Sequence, residues 1–381
     1  MAAGQPSAAG PASSSGSALR TVRLCLLGFG SVARELCVLL AAQERKLAED
    51  HGLRVLVNAV GTRHGSLLAP GGLAPAEVLA RAGLGAGSDA GAADAAAPRL
   101  PEPPRPAADL MAASGADVLV ELTVMEEDFA PIATGHVETA FALGMDVLTA
   151  NKGPIAWNWG RVKAAADAAG RRIRFESTVM DGLPVFSLLE FALPGCALLG
   201  FEAVFNATTN YIIDAMGTGQ TFADALARVQ AEGYAEADPS HDIDGWDAAC
   251  KGAALANVAM GAGITPAEIE KESLADVPLE RILQARADGK RLRLVTTVWR
   301  EAPGSVASAA GPAPPAGPVR GHVRATELDI DHPLAPVGAE SLGAILHTDL
   351  MSDVFVCEID GLVPQTAYGV YADLLHLCRS R

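Results

Sequence analysis

No apolar run in the 381 residues reaches the ~20 needed to span a bilayer, which excludes a helical membrane protein. No Cys-x-x-Cys pair occurs among the six cysteines, Cys25, Cys37, Cys196, Cys250, Cys357 and Cys378. Their irregular spacing argues against a zinc site or a disulfide framework, and they read as small buried hydrophobes in a reducing compartment. Aromatics are scarce at 5%, and 29 Lys and Arg stand against 45 Asp and Glu, a net charge of −16. An acidic surface disfavours nucleic acid and anionic membranes as partners, so a small molecule is expected. Any anionic ligand must then be held by local Arg, Lys or backbone N–H groups. Residues 1–20 carry one charge, Arg20, and no apolar core, which excludes a secretory signal. They read as a disordered tail on a cytoplasmic protein; their acid-free, Ser- and Ala-rich composition leaves a short plastid or mitochondrial transit peptide as the alternative.

What is present is hydrophobic patterning in half of the residues, interrupted by Gly/Pro/Ala-rich stretches over 83–107 and 302–318. Such segments bury too little apolar area to offset their ordering entropy and are expected as surface loops. Between the tail and residue 150, strand and helix signals alternate. "TVRLCLLGFG" is a continuous apolar run ending in glycine, as a buried parallel strand requires. "SVARELCVLLAAQERKLAEDHG" reads as one amphipathic helix stopped by Gly52. "LRVLVNAVGT", "ADVLVELT" and "MDVLTAN" read as further strands. This alternation predicts an α/β fold, a Rossmann-type doubly wound parallel sheet, followed by a second α+β domain. There "RIRFESTVM" and "LLGFEAVFNATTNYII" read as strands, and "TFADALARVQAEG" and "DAACKGAALANVAMG" as helices.

Gly28, Gly30 and Ala33 form G-x-G-x-x-A between the first strand and the first helix. Gly28 allows the tight turn, Gly30 a close backbone approach to a pyrophosphate, and Ala33 close helix–strand packing, with the helix N-terminus facing the anion. Phe29, Ser31 and Val32 belong to the same turn. An acid at the end of the second strand would bind an adenosine 2′-hydroxyl and repel a 2′-phosphate. Here that strand ends in Thr62-Arg63-His64, which predicts NADP(H) as the preferred cofactor, NAD(H) remaining possible. Thr123 and Asn151-Lys152 end the next two strands, at the carboxyl edge where open α/β sheets bind ligands.

The segment 230–251, "QAEGYAEADPSHDIDGWDAACK", interleaves carboxylates with Tyr234, Ile243 and Trp246. Acids among apolar residues point to a bound cation or a substrate ammonium. Asp247 and Lys251 are four apart on an otherwise small, apolar helix, so they share one face, and a buried ammonium–carboxylate pair is a candidate catalytic couple.

Taken together, "GFGSVA", "TANKGPIA", "ESTVMDGLPVF", "FNATTNYII", "GYAEADPSHDIDGWDAACK" and "VPQTAYGVYADLL" resemble the homoserine dehydrogenase family in its compact form, without an ACT domain or an aspartate kinase module. The resemblance implies reversible reduction of L-aspartate 4-semialdehyde to L-homoserine, in threonine and methionine biosynthesis. It implies Lys152 and Lys251 as catalytic lysines with Asp247 partnering the second. It also implies Glu236, Asp242, Thr208 and Tyr234 on the substrate, and a monovalent cation (Na⁺ or K⁺) on Glu176 and the carbonyls of Val179, Asp181 and Leu183. A homodimer formed through the second sheet follows from the same likeness. So does the domain plan: tail 1–20, nucleotide domain 21–155 to which 338–381 returns, and substrate, catalytic and dimerisation domain 156–337. Three departures stand out: Ala207 where glycine is usual, Met180-Asp181 in the cation motif, and Gly361-Leu362-Val363 in place of Gly-Ala-Gly. Two other readings stay open, a reductase of another amino-acid semialdehyde or imine and a non-catalytic NADP-binding sensor.

Overall fold

The computed structural model describes residues 19–84, 100–126, 129–232, 235, 238–301, 317–338, 341–359 and 361–379. The first sheet comprises β1 (Arg20–Leu27), β2 (Leu53–Thr62), β3 (Gly65–Leu73), β4 (Val118–Glu121), β5 (Asp146–Thr149) and β6 (Ile173–Arg174), in the order β3-β2-β1-β4-β5-β6. All neighbours are parallel except β2 and β3. Leu24, Leu26, Val57, Val60, Val118, Val120 and Leu148 bury their side chains in one core over this sheet, with the helix Ser31–Ala42 packed above. The continuous apolar runs of β1, β2, β4 and β5 are those of strands covered on both faces.

Two local features differ from expectation. The first crossover is two helices, Ser31–Ala42 and Glu44–His51, broken at Gln43 and ended by Gly52 in the left-handed conformation. After β2 the chain turns straight back into β3, a strand with no clear pattern in the sequence. Pro70, Gly71 and Gly72 weaken the strand signal of β3, and Pro is tolerated there because the strand lies at the sheet edge.

The second sheet holds β7 (Leu198–Val204), β8 (Glu270–Lys271), β9 (Lys290–Arg300), β10 (Val319–Asp329), β11 (Leu342–Thr348) and β12 (Asp353–Glu358), in the order β12-β11-β7-β9-β10-β8. The helix Trp246–Ala259 lies against it. A Cβ on Gly252 would stand 2.9 Å from Cγ2 of Thr296, so the alanine- and glycine-rich face lets helix and strand approach closely.

Ile173–Arg174 pairs with β5 in the first sheet, although "RIRFESTVM" was expected in the second; two residues are too few to show a period. The strand expected through "LLGFEAVFNATTNYII" stops at Val204, and Ala207–Met216 is a helix capped by Asn206. Only the helix Val363–Arg379 returns to the nucleotide-binding half, where Ala367, Val370, Leu374 and Leu377 join the core of Leu24 and Leu36. The preceding part of 338–381 stays with the second sheet, because Leu342, Ala344 and Leu346 bury against Phe201 and Leu255.

Candidate active site

At the carboxyl edge of the first sheet, Gly28 adopts φ +91°, and a Cβ there would lie 2.2 Å from the carbonyl oxygen of Leu122. Only glycine fits this turn. Gly30 N-caps the helix Ser31–Ala42, whose first turn carries no acid and no side-chain cap, so its N–H groups are left for an anion. Ala33 is buried beneath. A cleft of about 380 Å³ runs from Gly28 and Gly30 past Thr62, Arg63 and Thr123. The Thr62 hydroxyl accepts the backbone N–H groups of His64 (3.2 Å) and Gly65 (3.1 Å), closing the hairpin tip on which Arg63 is exposed. The acid lining the cleft, Glu126, accepts Ile132 N–H at 2.7 Å and Ala133 N–H at 3.1 Å. It caps another helix and does not occupy the end of β2. These residues fit a nicotinamide dinucleotide.

The ends of β4 and β5 are tied together. Asn151 Nδ2 donates to the Thr123 carbonyl at 3.2 Å, and its Oδ1 accepts Gly153 N–H at 3.0 Å. The Thr123 hydroxyl donates to the fully buried Glu121. This bracing presents Lys152 at the start of the helix Gly153–Ala169.

There the two halves meet. Lys152 Nζ lies 2.9 Å from Asp247 Oδ1, and Lys251 Nζ lies 3.2 Å from Asp247 Oδ2. Lys251 also donates to the Phe205 carbonyl at 2.7 Å. Asn206 Nδ2 donates to Asp242 Oδ1 at 2.7 Å and to Asp247 Oδ2 at 3.1 Å, and its Oδ1 accepts Thr209 N–H at 2.9 Å. Thr208 hydrogen-bonds Asp242. Burial by itself would raise the Asp247 carboxyl, but the two ammonium groups overcome it and hold the carboxyl well below the usual range. Burial likewise opposes the charge on Lys152, and the Asp247 carboxylate overcomes it and raises the ammonium's pKa. Asp242 moves the other way: burial first, then the neighbouring Asp247 charge, push it up. Burial pushes the Cys250 thiol up to about 12, which leaves no thiolate nucleophile in the site.

The structure thus brings together Lys152, Asp247, Lys251, Asp242 and Thr208, and separately Gly28, Gly30, Thr62, Arg63 and Thr123. Tyr234 and Glu236 lie outside the described residues. Two of the expected cation ligands carry hydrogen bonds from the chain itself. Both Glu176 oxygens are taken, by Phe186 N–H at 2.7 Å and by Ser187 N–H at 2.8 Å together with its hydroxyl. The Leu183 carbonyl already accepts Val185 N–H at 2.8 Å.

Sequence reasoning passed over Asn206, the Phe205 carbonyl, Glu121 and Arg34. Asn206 had a signal, since Asn directly before a helix is a favoured N-cap, but the segment had been read as a strand. Arg34 is buried on the first turn of the nucleotide helix with Nε donating to the Gly30 carbonyl at 3.2 Å. Nothing local in the sequence marks it as buried.

A family model described as homoserine dehydrogenase matches residues 184–375. A second, described as homoserine dehydrogenase, NAD binding domain, matches residues 28–176. The NAD(+)-dependent homoserine dehydrogenase of Pseudomonas canavaninivorans is 31% identical over 359 residues, which cover 94% of this chain and 96% of that one. Among solved structures, the putative homoserine dehydrogenase of Archaeoglobus fulgidus superposes with a TM-score of 0.77 at 24% identity, over 93% of this chain and 99% of the other. A hyperthermophilic archaeal homoserine dehydrogenase in complex with NADPH superposes with a TM-score of 0.74 at 25% identity, over 95% of this chain and 99% of the other.

Proposed function

The chain belongs to the homoserine dehydrogenase family, and on that premise we propose how its residues carry out the reversible reduction of L-aspartate 4-semialdehyde to L-homoserine. The observation that carries the reading is the single carboxylate of Asp247 held between two ammonium groups, at the edge of the sheet that also bears the glycine turn.

A nicotinamide dinucleotide bound at that turn supplies the hydride. Negative charge then grows on the substrate's carbonyl oxygen, and the chain must stabilise it. Lys251 directs one N–H at the Phe205 carbonyl and another at Asp247, which leaves the third for that oxygen. Lys152, also anchored on Asp247, adds a second positive charge. An ammonium aimed at the developing alkoxide stabilises it and can deliver the proton, and in the reverse direction the lysine accepts it back. Asp242 and Thr208, with Glu236 and Tyr234, take the amino-acid end of the substrate. Asn206 is a positioning residue that keeps Asp242 and Asp247 in register.

The absence of an acid at the end of β2 and the exposed Arg63 at the hairpin tip support NADP(H) over NAD(H). A homodimer through the second sheet is supported by Trp299 and Phe355, both exposed on the face turned away from the helix Trp246–Ala259.

Steady-state assays with homoserine and each nicotinamide, on wild type and Arg63→Ala, test the reading. We expect homoserine-dependent reduction, faster with NADP⁺, and a preference that collapses in the variant. No turnover with either nucleotide overturns the activity; equal or better use of NAD⁺ by wild type overturns the cofactor preference alone.

A further inference from the structure

Away from the nucleotide cleft, a cavity of about 230 Å³ opens where the helix Ala207–Met216 ends against the start of β9. Four cations line it, Arg286, Lys290, Arg291 and Arg293, with Asp214 the one acid among the lining residues. Such a concentration stands out on a chain with a net charge of −16.

The charges do not cancel. Arg293 Nη1 donates to Asp214 Oδ1 at 2.7 Å, and Lys290 lies 3.6 Å from Asp329. Arg286 and Arg291 reach only carbonyl oxygens, of Gly217 at 2.7 Å and of Lys290 at 3.2 Å. Neither forms an ion pair among the described residues. Among the described residues, four cations against two carboxylates leave two positive charges uncompensated. A second observation is independent of the count: Arg293 is only 4% exposed, yet its Nε has no hydrogen-bond partner among the described residues. A buried guanidinium N–H left without an acceptor costs free energy, which a bound anion would recover. The C-terminal end of the helix opposes an anion with roughly half a charge, which the side chains outweigh.

We propose that this cavity binds a phosphate dianion, either free or as the phosphoryl group of a small phosphomonoester. Two surplus charges match a dianion, and guanidinium forks match its oxygens in pairs. The site is separate from the glycine turn, where the cofactor's own phosphates are held.

The test is a titration with inorganic phosphate at low ionic strength, read by calorimetry and by thermal unfolding. NADPH is kept saturating so that the glycine turn is filled, and chloride at matched ionic strength is the control. A saturable rise in Tm with phosphate but not chloride is expected, since a ligand of the folded state stabilises it. Arg291→Gln should weaken binding about ten-fold, the scale of one charge-assisted hydrogen bond, and leave turnover unchanged, which shows that the variant folds. Glycerol 3-phosphate forms a second arm: tighter binding than inorganic phosphate assigns the site to a monoester, equal or weaker binding to the free ion. Identical responses to phosphate and chloride overturn the proposal. So does wild-type phosphate affinity in Arg291→Gln.

Discussion

Asp247 bridges two ammonium groups that would otherwise repel each other, and each lysine in turn keeps it ionised. Removing one lysine therefore affects chemistry more than folding. Lys251→Ala is expected to lower kcat about 10²-fold, the scale of a lost acid and electrostatic clamp, while NADPH binding stays unchanged. Near-normal kcat in that variant, measured with homoserine saturating, removes Lys251 from the mechanism. A second buried acid acts on stability. Asp373 sits on the C-terminal helix and accepts Glu176 N–H at 2.7 Å, and burial raises its carboxyl from 3.8 to about 8. The folded state thus holds a proton that the unfolded chain has released. Stability contributed by Asp373 is full below about pH 3.8 and is lost as pH rises toward 8. Glu358, raised to about 7 by burial and by Asp181, adds a slope of the same sign. Asp373→Asn keeps an acceptor for Glu176 and should flatten, without abolishing, the fall in Tm between pH 5 and pH 8. An unchanged slope would show that Asp373 does not titrate in this window.

At the scale of elements, the glycine turn couples backbone conformation to ligand binding. Gly28→Ala places a side chain in the left-handed region and against the Leu122 carbonyl. The strain of about 1–3 kcal/mol is relieved only by shifting β1 relative to β4. We expect at least ten-fold weaker NADPH binding by fluorescence titration, together with a lower Tm; wild-type affinity would mean that the turn does not set the nucleotide's position. This element was legible in the sequence because its chemistry is local: strand, two glycines and a helix start lie within fifteen residues. The helix Trp246–Ala259 was legible for a similar reason, since Asp247 and Lys251 share a face by spacing alone. The β2–β3 hairpin was not, because Pro70 and the two glycines after it carry loop chemistry and are allowed in a strand only by its place at the sheet edge. Asn206 was hidden by a boundary: its strand ends at Val204, whereas the apolar pattern ran on to Ile213.

For the whole molecule, the outer face of the second sheet is the surface with most to say about assembly. Trp299 and Phe355 lie on one side of β9 and β12, opposite Thr296 and Val298, which pack on Gly252. If that face joins two copies, Trp299→Glu buries an unpaired charge at the junction. Sedimentation velocity should then show a dimer for wild type and a monomer for the variant, and a monomeric wild type would remove the dimer from the reading. Periodicity and short motifs by themselves determined the nucleotide fold, the glycine turn, the Asp247–Lys251 pair and the family, because each depends on residues close together along the chain. Tertiary structure alone decided that Lys152, 95 residues before Asp247, shares its carboxylate. It also decided that Glu176 accepts from Phe186 and Ser187, and that four basic side chains gather with two acids beside them among the described residues. Those outcomes depend on which backbone amides and charges the packing brings within hydrogen-bond reach, and no spacing along the sequence encodes that distance.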